Sequence, residues 1–193
     1  MHIPFHITIC GLNELAAHAN MRVTHVLSIL DPEHPVPEVF GTYGEHEKLE
    51  LRFDDIIDEE PGKIAPSAED VQALLTFGRA VVREPRPGAH LLVHCHAGVS
   101  RSSASMALVV AQAAPSHSGT EIFAELLRIR PQMWPNLRLV ELGDAALNRG
   151  GELVLAAKQV YARQAAREPR LFDYFRMLGR ERELNAALSL GTQ

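Results

Sequence analysis

Apolar positions in the first half of the chain fall in short runs, and those in the second half recur at helical spacing. Residues 3–9 and 23–30 are β-branched apolar runs and read as strands, with a short helix between them over 13–20. Residues 31–44 hold three prolines and two glycines, which mark a loop. Residues 48–53 alternate polar and apolar, the pattern of a half-buried strand. Residues 54–66 are acidic and carry Pro61, Gly62 and Pro66, which predicts an exposed loop. Ser67 with Asp70 three positions on resembles a capping box. It opens a helix to about Glu84, with Val71, Leu74, Leu75 and Val81 on one face, stopped by Pro85, Pro87 and Gly88. Residues 91–94 form a short apolar strand of the mid-sheet kind.

Beyond that strand the pattern predicts helices over 102–113, 119–129, 136–147, 152–167 and about 171–188. Pro131, Pro135, Gly150, Gly151 and Pro169 separate them. Strands alternate with helices early, and helices dominate late. The expected fold is α/β: a central, mostly parallel sheet flanked by helices, with a helical C-terminal part. The expected division is a domain over 1–168 and a helical appendage over 169–193. In that appendage Arg170, Arg176, Arg180, Glu181, Arg182 and Glu183 interleave with Leu171, Phe172, Phe175, Met177 and Leu178. This predicts an amphipathic helix packed on the domain; an oligomerisation or partner helix is the alternative.

Composition narrows the function classes. A chain of 193 residues suits one domain, and 46% hydrophobic residues suffice for an ordinary core. No apolar run approaches the roughly 20 residues of a membrane helix. Residues 1–6 lack the basic start and apolar stretch of a signal peptide, so the expected location is cytoplasmic. A net charge of −5 argues against nucleic acid as a partner. Two cysteines, Cys10 and Cys95, are too few for a disulfide scaffold. Ten histidines show no zinc-like spacing with them, so neither metal nor cofactor is expected.

The chemistry concentrates in residues 94–102. A strand ends at His94 and a helix begins near Arg101. The turn between them, through His96, Ala97, Gly98, Val99 and Ser100, is mostly small residues. Such a turn points successive N–H groups inward as an anion-binding nest, reinforced by the positive end of the next helix. Arg101 at the helix start can fold back and hold two oxygens of a phosphate or sulfate. Cys95 lies at the centre of this field, which favours the nucleophilic thiolate. Ser102 is placed to donate to its sulfur, and His94 to brace the loop through backbone carbonyls. A metal site at His94, Cys95 and His96 is disfavoured, because adjacent strand residues point to opposite faces.

The segment 93–103, with Val-His before Cys-x5-Arg-Ser, closely resembles the signature of protein tyrosine phosphatases, in particular their compact dual-specificity-like branch. The resemblance covers about residues 3–150 through the order strand, acidic loop, helix, strand, cysteine loop, helices. It implies hydrolysis of phosphate monoesters through a phosphocysteine intermediate, on a phosphorylated protein or a small phosphate ester. Phosphotyrosine is the first expectation and phosphoserine or phosphothreonine further ones.

A leaving alkoxide or phenoxide needs a proton. The loop over 54–58 supplies Asp54, Asp55 and Asp58. Alignment with the family selects Asp55 as general acid, and as base against the intermediate. Relatives acting on inositol phospholipids tend to carry lysines in the cysteine loop. This one has none, though His96 offers a partial charge. Phosphoinositides or other small molecules remain the alternative substrates, and a weakly active phosphate-binding module the alternative function. A sulfurtransferase or arsenate reductase fits less well, since neither has the acid loop. If Cys10 approached Cys95, the two would form a protective disulfide under oxidation.

Overall fold

A computed structural model describes residues 2–83 and 88–190. Four strands, β1 (His6–Gly11), β2 (His25–Leu30), β3 (Glu47–Arg52) and β4 (His90–Cys95), form one sheet in the order β1-β4-β2-β3, all pairs parallel. Among the described residues, seven α-helices follow or intervene: α1 (Ala68–Arg83), α2 (Arg101–Ala113), α3 (Gly119–Ile129), α4 (Leu137–Ala146), α5 (Glu152–Arg167), α6 (Leu171–Met177) and α7 (Glu181–Leu190). The mostly parallel α/β sheet expected from the sequence is what forms. Glu84, Pro85 and Pro87, the expected end of α1, lie outside the described residues.

Pleating sorts the strand residues onto two faces. Ile9, Leu27, Ile29, Leu91, Val93 and Cys95 share the main core with the α-helices. Cys10, Val26 and Leu92 face a smaller cluster with Leu15, Val23 and Tyr43. That second face is covered by two 3-10 segments, Leu12–His18 and Glu38–Thr42, rather than by α-helices. The segment expected as a short helix over 13–20 is therefore the tighter form. Its start is held by the Gly11 N–H donating to Glu14 Oε2 at 2.6 Å. Strand β1 starts three residues later than the apolar run suggests. Pro4 has no N–H for a ladder, and pairing begins where His6 meets His90.

Two other expectations need correction. The loop over 54–66 is not simply exposed, because Ile56 and Ile57 are buried and anchor its first half. The single helix over 171–188 is two helices, α6 and α7, broken at Gly179 with φ +68°. The turn at 168–170 separates these helices from α5. Beyond it, Phe175, Leu184, Ala186 and Ala187 enter the same core as β4 and α2. At the start of α1, Ser67 Oγ and Asp70 form the expected reciprocal cap.

Parallel strands bring their carboxyl ends to one edge, where open α/β sheets bind ligands. Cys95 ends β4, Gly11 ends β1 beside it, Asp31 follows β2, and Phe53 to Asp55 follow β3.

Candidate active site

The turn from β4 into α2 is held open by bonds on its outside. The carbonyl of His96 accepts from Leu12 N (2.9 Å), Val99 from Trp134 N (2.9 Å) and Ser100 from Asn136 N (3.3 Å). Arg130 Nη2 and Nε donate to the carbonyls of Ala97 and Gly98, each at 2.9 Å, and its other contacts form a bidentate pair with Glu14 at 2.8 Å. That arginine holds the Glu14 carboxyl below the usual carboxylate range. Carbonyls engaged outside leave the N–H groups of the turn for an anion inside it. Gly98 has φ +69°, and a Cβ there would sit 2.4 Å from the carbonyl carbon of Cys10. Only glycine allows the loop to lie this close to β1.

Cys95 is 2% exposed, and its Sγ lies 3.2 Å from Ser102 Oγ. Arg101 is equally buried. Its Nη1 donates to Asp31 Oδ1 (2.7 Å) and to the Phe53 carbonyl (2.6 Å), which fixes the guanidinium at the sheet edge. Its Nε is buried without a hydrogen-bond partner in the protein, a donor available to an oxyanion. His96 packs edge-on against His34 at 4.5 Å and lies 3.5 Å from Asp31. Burial, with Arg101 and His34 nearby, outweighs Asp31 and lowers its pKa, so it is a weaker source of positive charge than its position in the loop suggests.

His94 ties the loop to its neighbouring strand. Its Nε2 meets Ser28 Oγ on β2 at 2.8 Å. Burial pushes its pKa down from 6.5 to about 4, so the ring is neutral at pH 7. The unfolded chain binds this proton more readily than the folded one. Stability is therefore full above pH 6.5 and falls as pH drops from there towards 4. At about 1.36 kcal/mol per pKa unit, the loss is about 3 kcal/mol. In urea unfolding at pH 7 and pH 4.5, His94→Asn is expected to show a smaller acid loss than the parent chain. Equal losses would mean His94 contributes nothing to the acid sensitivity.

The three candidate acids separate clearly. Asp54 Oδ2 accepts from Ile64 N at 2.7 Å and closes its own loop. Asp58 pairs with Arg182 at the surface at 3.0 Å. Asp55 reaches the cysteine loop: its Oδ1 accepts from Ser100 Oγ (2.7 Å), Asn136 Nδ2 (2.9 Å) and Arg180 Nη1 (3.2 Å). Beside it lies a cavity of about 260 Å³, mostly apolar, walled by Asp55, Val99, Trp134, Tyr174, Phe175 and Arg180.

Several of these groups carried no mark in the sequence. Asp31, Ser28, Glu14 and Arg180 lack a local motif. Asn136 was legible only as a helix start after Pro135, and it does cap α4 by accepting from Leu139 N at 3.1 Å. Trp134 is core, stacked between Tyr161 and Phe175. Cys10 aligns with His94, not with Cys95, so the two cysteines point to opposite faces of the sheet. Both are free thiols, and burial pushes the Cys10 pKa up to about 12. The condition for a protective disulfide between them is therefore not met. Among the described residues, no cluster of His, Cys, Asp or Glu is placed to hold a metal ion. No described helix is long and apolar enough to cross a membrane.

No protein-family model matches the sequence, and a search of curated proteins finds no match. Solved structures do match. Human DUSP28 superposes with a TM-score of 0.55 at 19% identity, covering 74% of this chain and 94% of its own. Tk-PTP in its active form gives 0.54 at 21%, covering 75% and 92%. PTPMT1 in complex with PI(5)P gives 0.53 at 17%, covering 84% and 97%. The chain has the fold of the compact dual-specificity and tyrosine phosphatases.

Proposed function

We propose that the protein is a cysteine-dependent phosphatase acting on phosphate monoesters, with phosphotyrosine on proteins as the preferred substrate. The observation that carries this reading is the hydrogen bond from Ser100 to Asp55, which joins the acid loop to the loop holding Cys95. On this reading Cys95 and Asp55 serve the same phosphoryl group, one as nucleophile and the other as acid.

In the first step Cys95 Sγ attacks phosphorus as the ester P–O bond breaks. The loop N–H groups of residues 96–101 and the Arg101 guanidinium bind the phosphoryl oxygens. Asp55 gives its proton to the leaving oxygen. In the second step Asp55 takes a proton from water as that water attacks the phosphocysteine. Sulfur departs as a thiolate, helped by the Ser102 hydroxyl 3.2 Å away. His94 supports the loop and takes no part in proton transfer.

The apolar cavity beside Asp55 favours an aryl alcohol as the leaving half of the ester. Phosphoserine and phosphothreonine are secondary substrates. The likeness to a phosphatase bound to PI(5)P supports phosphoinositides as the second reading. The lack of lysine in residues 96–100 and the lowered basicity of His96 weigh against it.

Asp55→Asn tests the assignment. It is expected to lower turnover of phosphotyrosine peptides by roughly 10²–10⁴. A general acid gives the pH–rate profile a basic limb, and the variant is expected to lose it. Loss of the limb in Asp58→Asn instead would move the acid to Asp58. Parallel assays on phosphotyrosine peptide, phosphoserine peptide and phosphoinositide vesicles decide the substrate. Fastest turnover of the vesicles would favour the second reading.

A further inference from the structure

We infer that Arg180, on the turn between α6 and α7, is a positioning residue for Asp55, so that the C-terminal helices complete the acid side of the catalytic site. The inference rests on the phosphatase reading above. Arg180 is 2% exposed, an unusual state for an arginine that serves only solubility. Its Nη1 lies 3.2 Å from Asp55 Oδ1. Its Nη2 donates at 3.1 Å to Ser100 Oγ, the same hydroxyl that donates to Asp55 Oδ1. One guanidinium thus spans the acid loop and the cysteine loop.

The other side of that guanidinium is equally fixed. Arg180 Nε and Nη2 donate to Glu183 at 3.0 and 2.6 Å. Glu183 in turn accepts from Trp134 Nε1 (2.6 Å) and from Leu137 N at the start of α4 (2.9 Å). The cation is therefore placed by a carboxylate rooted in the main core.

The consequence is chemical. Oδ1 of Asp55 already accepts from Ser100, Asn136 and Arg180. Three donors on one oxygen leave no room for its own proton, so the protonated acid carries hydrogen on Oδ2. That proton passes to the ester oxygen as the P–O bond breaks and the S–P bond forms. The resulting carboxylate, stabilised by Arg180, receives a proton from water in the second step. Among the described residues, two charged groups interact with Asp55: Arg180 from the C-terminal segment and His96 from the cysteine loop. Among the described residues, only Arg180 of these has a hydrogen bond to its carboxylate.

The test uses the full chain and two esters, phosphotyrosine and p-nitrophenyl phosphate. The second has a leaving group that needs little protonation. Because Arg180→Gln alone strands a buried Glu183, the paired variant Arg180→Gln with Glu183→Gln is made beside Arg180→Lys. The paired variant is expected to lose roughly 10–10² in kcat on phosphotyrosine and about threefold or less on p-nitrophenyl phosphate. Lysine is expected to restore part of the rate. In an Asp55→Asn background the same changes are expected to add almost nothing. Equal losses on both esters, or full additivity with Asp55→Asn, would overturn the inference. A parent chain that turns over neither ester, or a Cys95→Ser chain that turns over both, would overturn the phosphatase reading first.

Discussion

Serine in place of Cys95 is expected to abolish hydrolysis of aryl phosphates while leaving oxyanion binding in place. The two side chains differ by one atom, and the site around them is built from other groups. The loop carbonyls stay tied to Leu12, Arg130, Trp134 and Asn136, and Arg101 stays tied to Asp31 and Phe53. The cradle therefore survives the substitution. What goes is the nucleophile, because a serine hydroxyl here has no adjacent base to activate it. Turnover is expected to fall on the order of 10⁴–10⁶, as for removal of a nucleophile elsewhere. Calorimetric titration with inorganic phosphate measures the retained binding. Turnover within tenfold of the parent would rule out Cys95 as the attacking group.

The largest expected loss of stability comes from Glu183→Ala. This carboxylate is fully buried and accepts hydrogen bonds from Trp134, Leu137 and Arg180. Removing it strands a buried cation, an indole N–H and a helix-start amide together. Breaking a buried pair by deleting one partner costs about 3–5 kcal/mol. Urea unfolding followed by fluorescence of Trp134, the single tryptophan, reads the change directly. The surface pair between Arg182 and Glu141 gives the contrast. Glu141→Ala is expected to cost about 0–1 kcal/mol. A loss below about 1 kcal/mol for Glu183→Ala would mean that water replaces its partners and that the C-terminal helices are only loosely attached.

The two substitutions differ in how visible their sites are along the chain. Cys95, Arg101 and Ser102 stand within eight consecutive positions, together with the glycine that lets the loop turn. Short-range sterics and the strand-to-helix transition are enough to place them. Asp55 is intermediate. Its loop is legible from proline, glycine and acidic residues, and the family resemblance singles it out from Asp54 and Asp58, but its contacts need the fold. Asp54 turns back to Ile64, Asp58 outward to Arg182, and Asp55 alone of the three meets the cysteine loop. Arg180 and Glu183 read as charges on an amphipathic helix. In the structure Gly179 breaks that helix and turns both side chains inward.

Periodicity and turn chemistry along the sequence determine the elements, the parallel α/β class and the cysteine loop itself, because each depends on interactions among near neighbours. Tertiary structure alone decides which carboxylate meets the cysteine loop and what holds it. Asp55 meets Ser100, Asn136 and Arg180 across 45, 81 and 125 positions of chain. No local pattern encodes contacts of that range. They arise when parallel strands deliver their carboxyl ends to one edge and the last helices fold back across it.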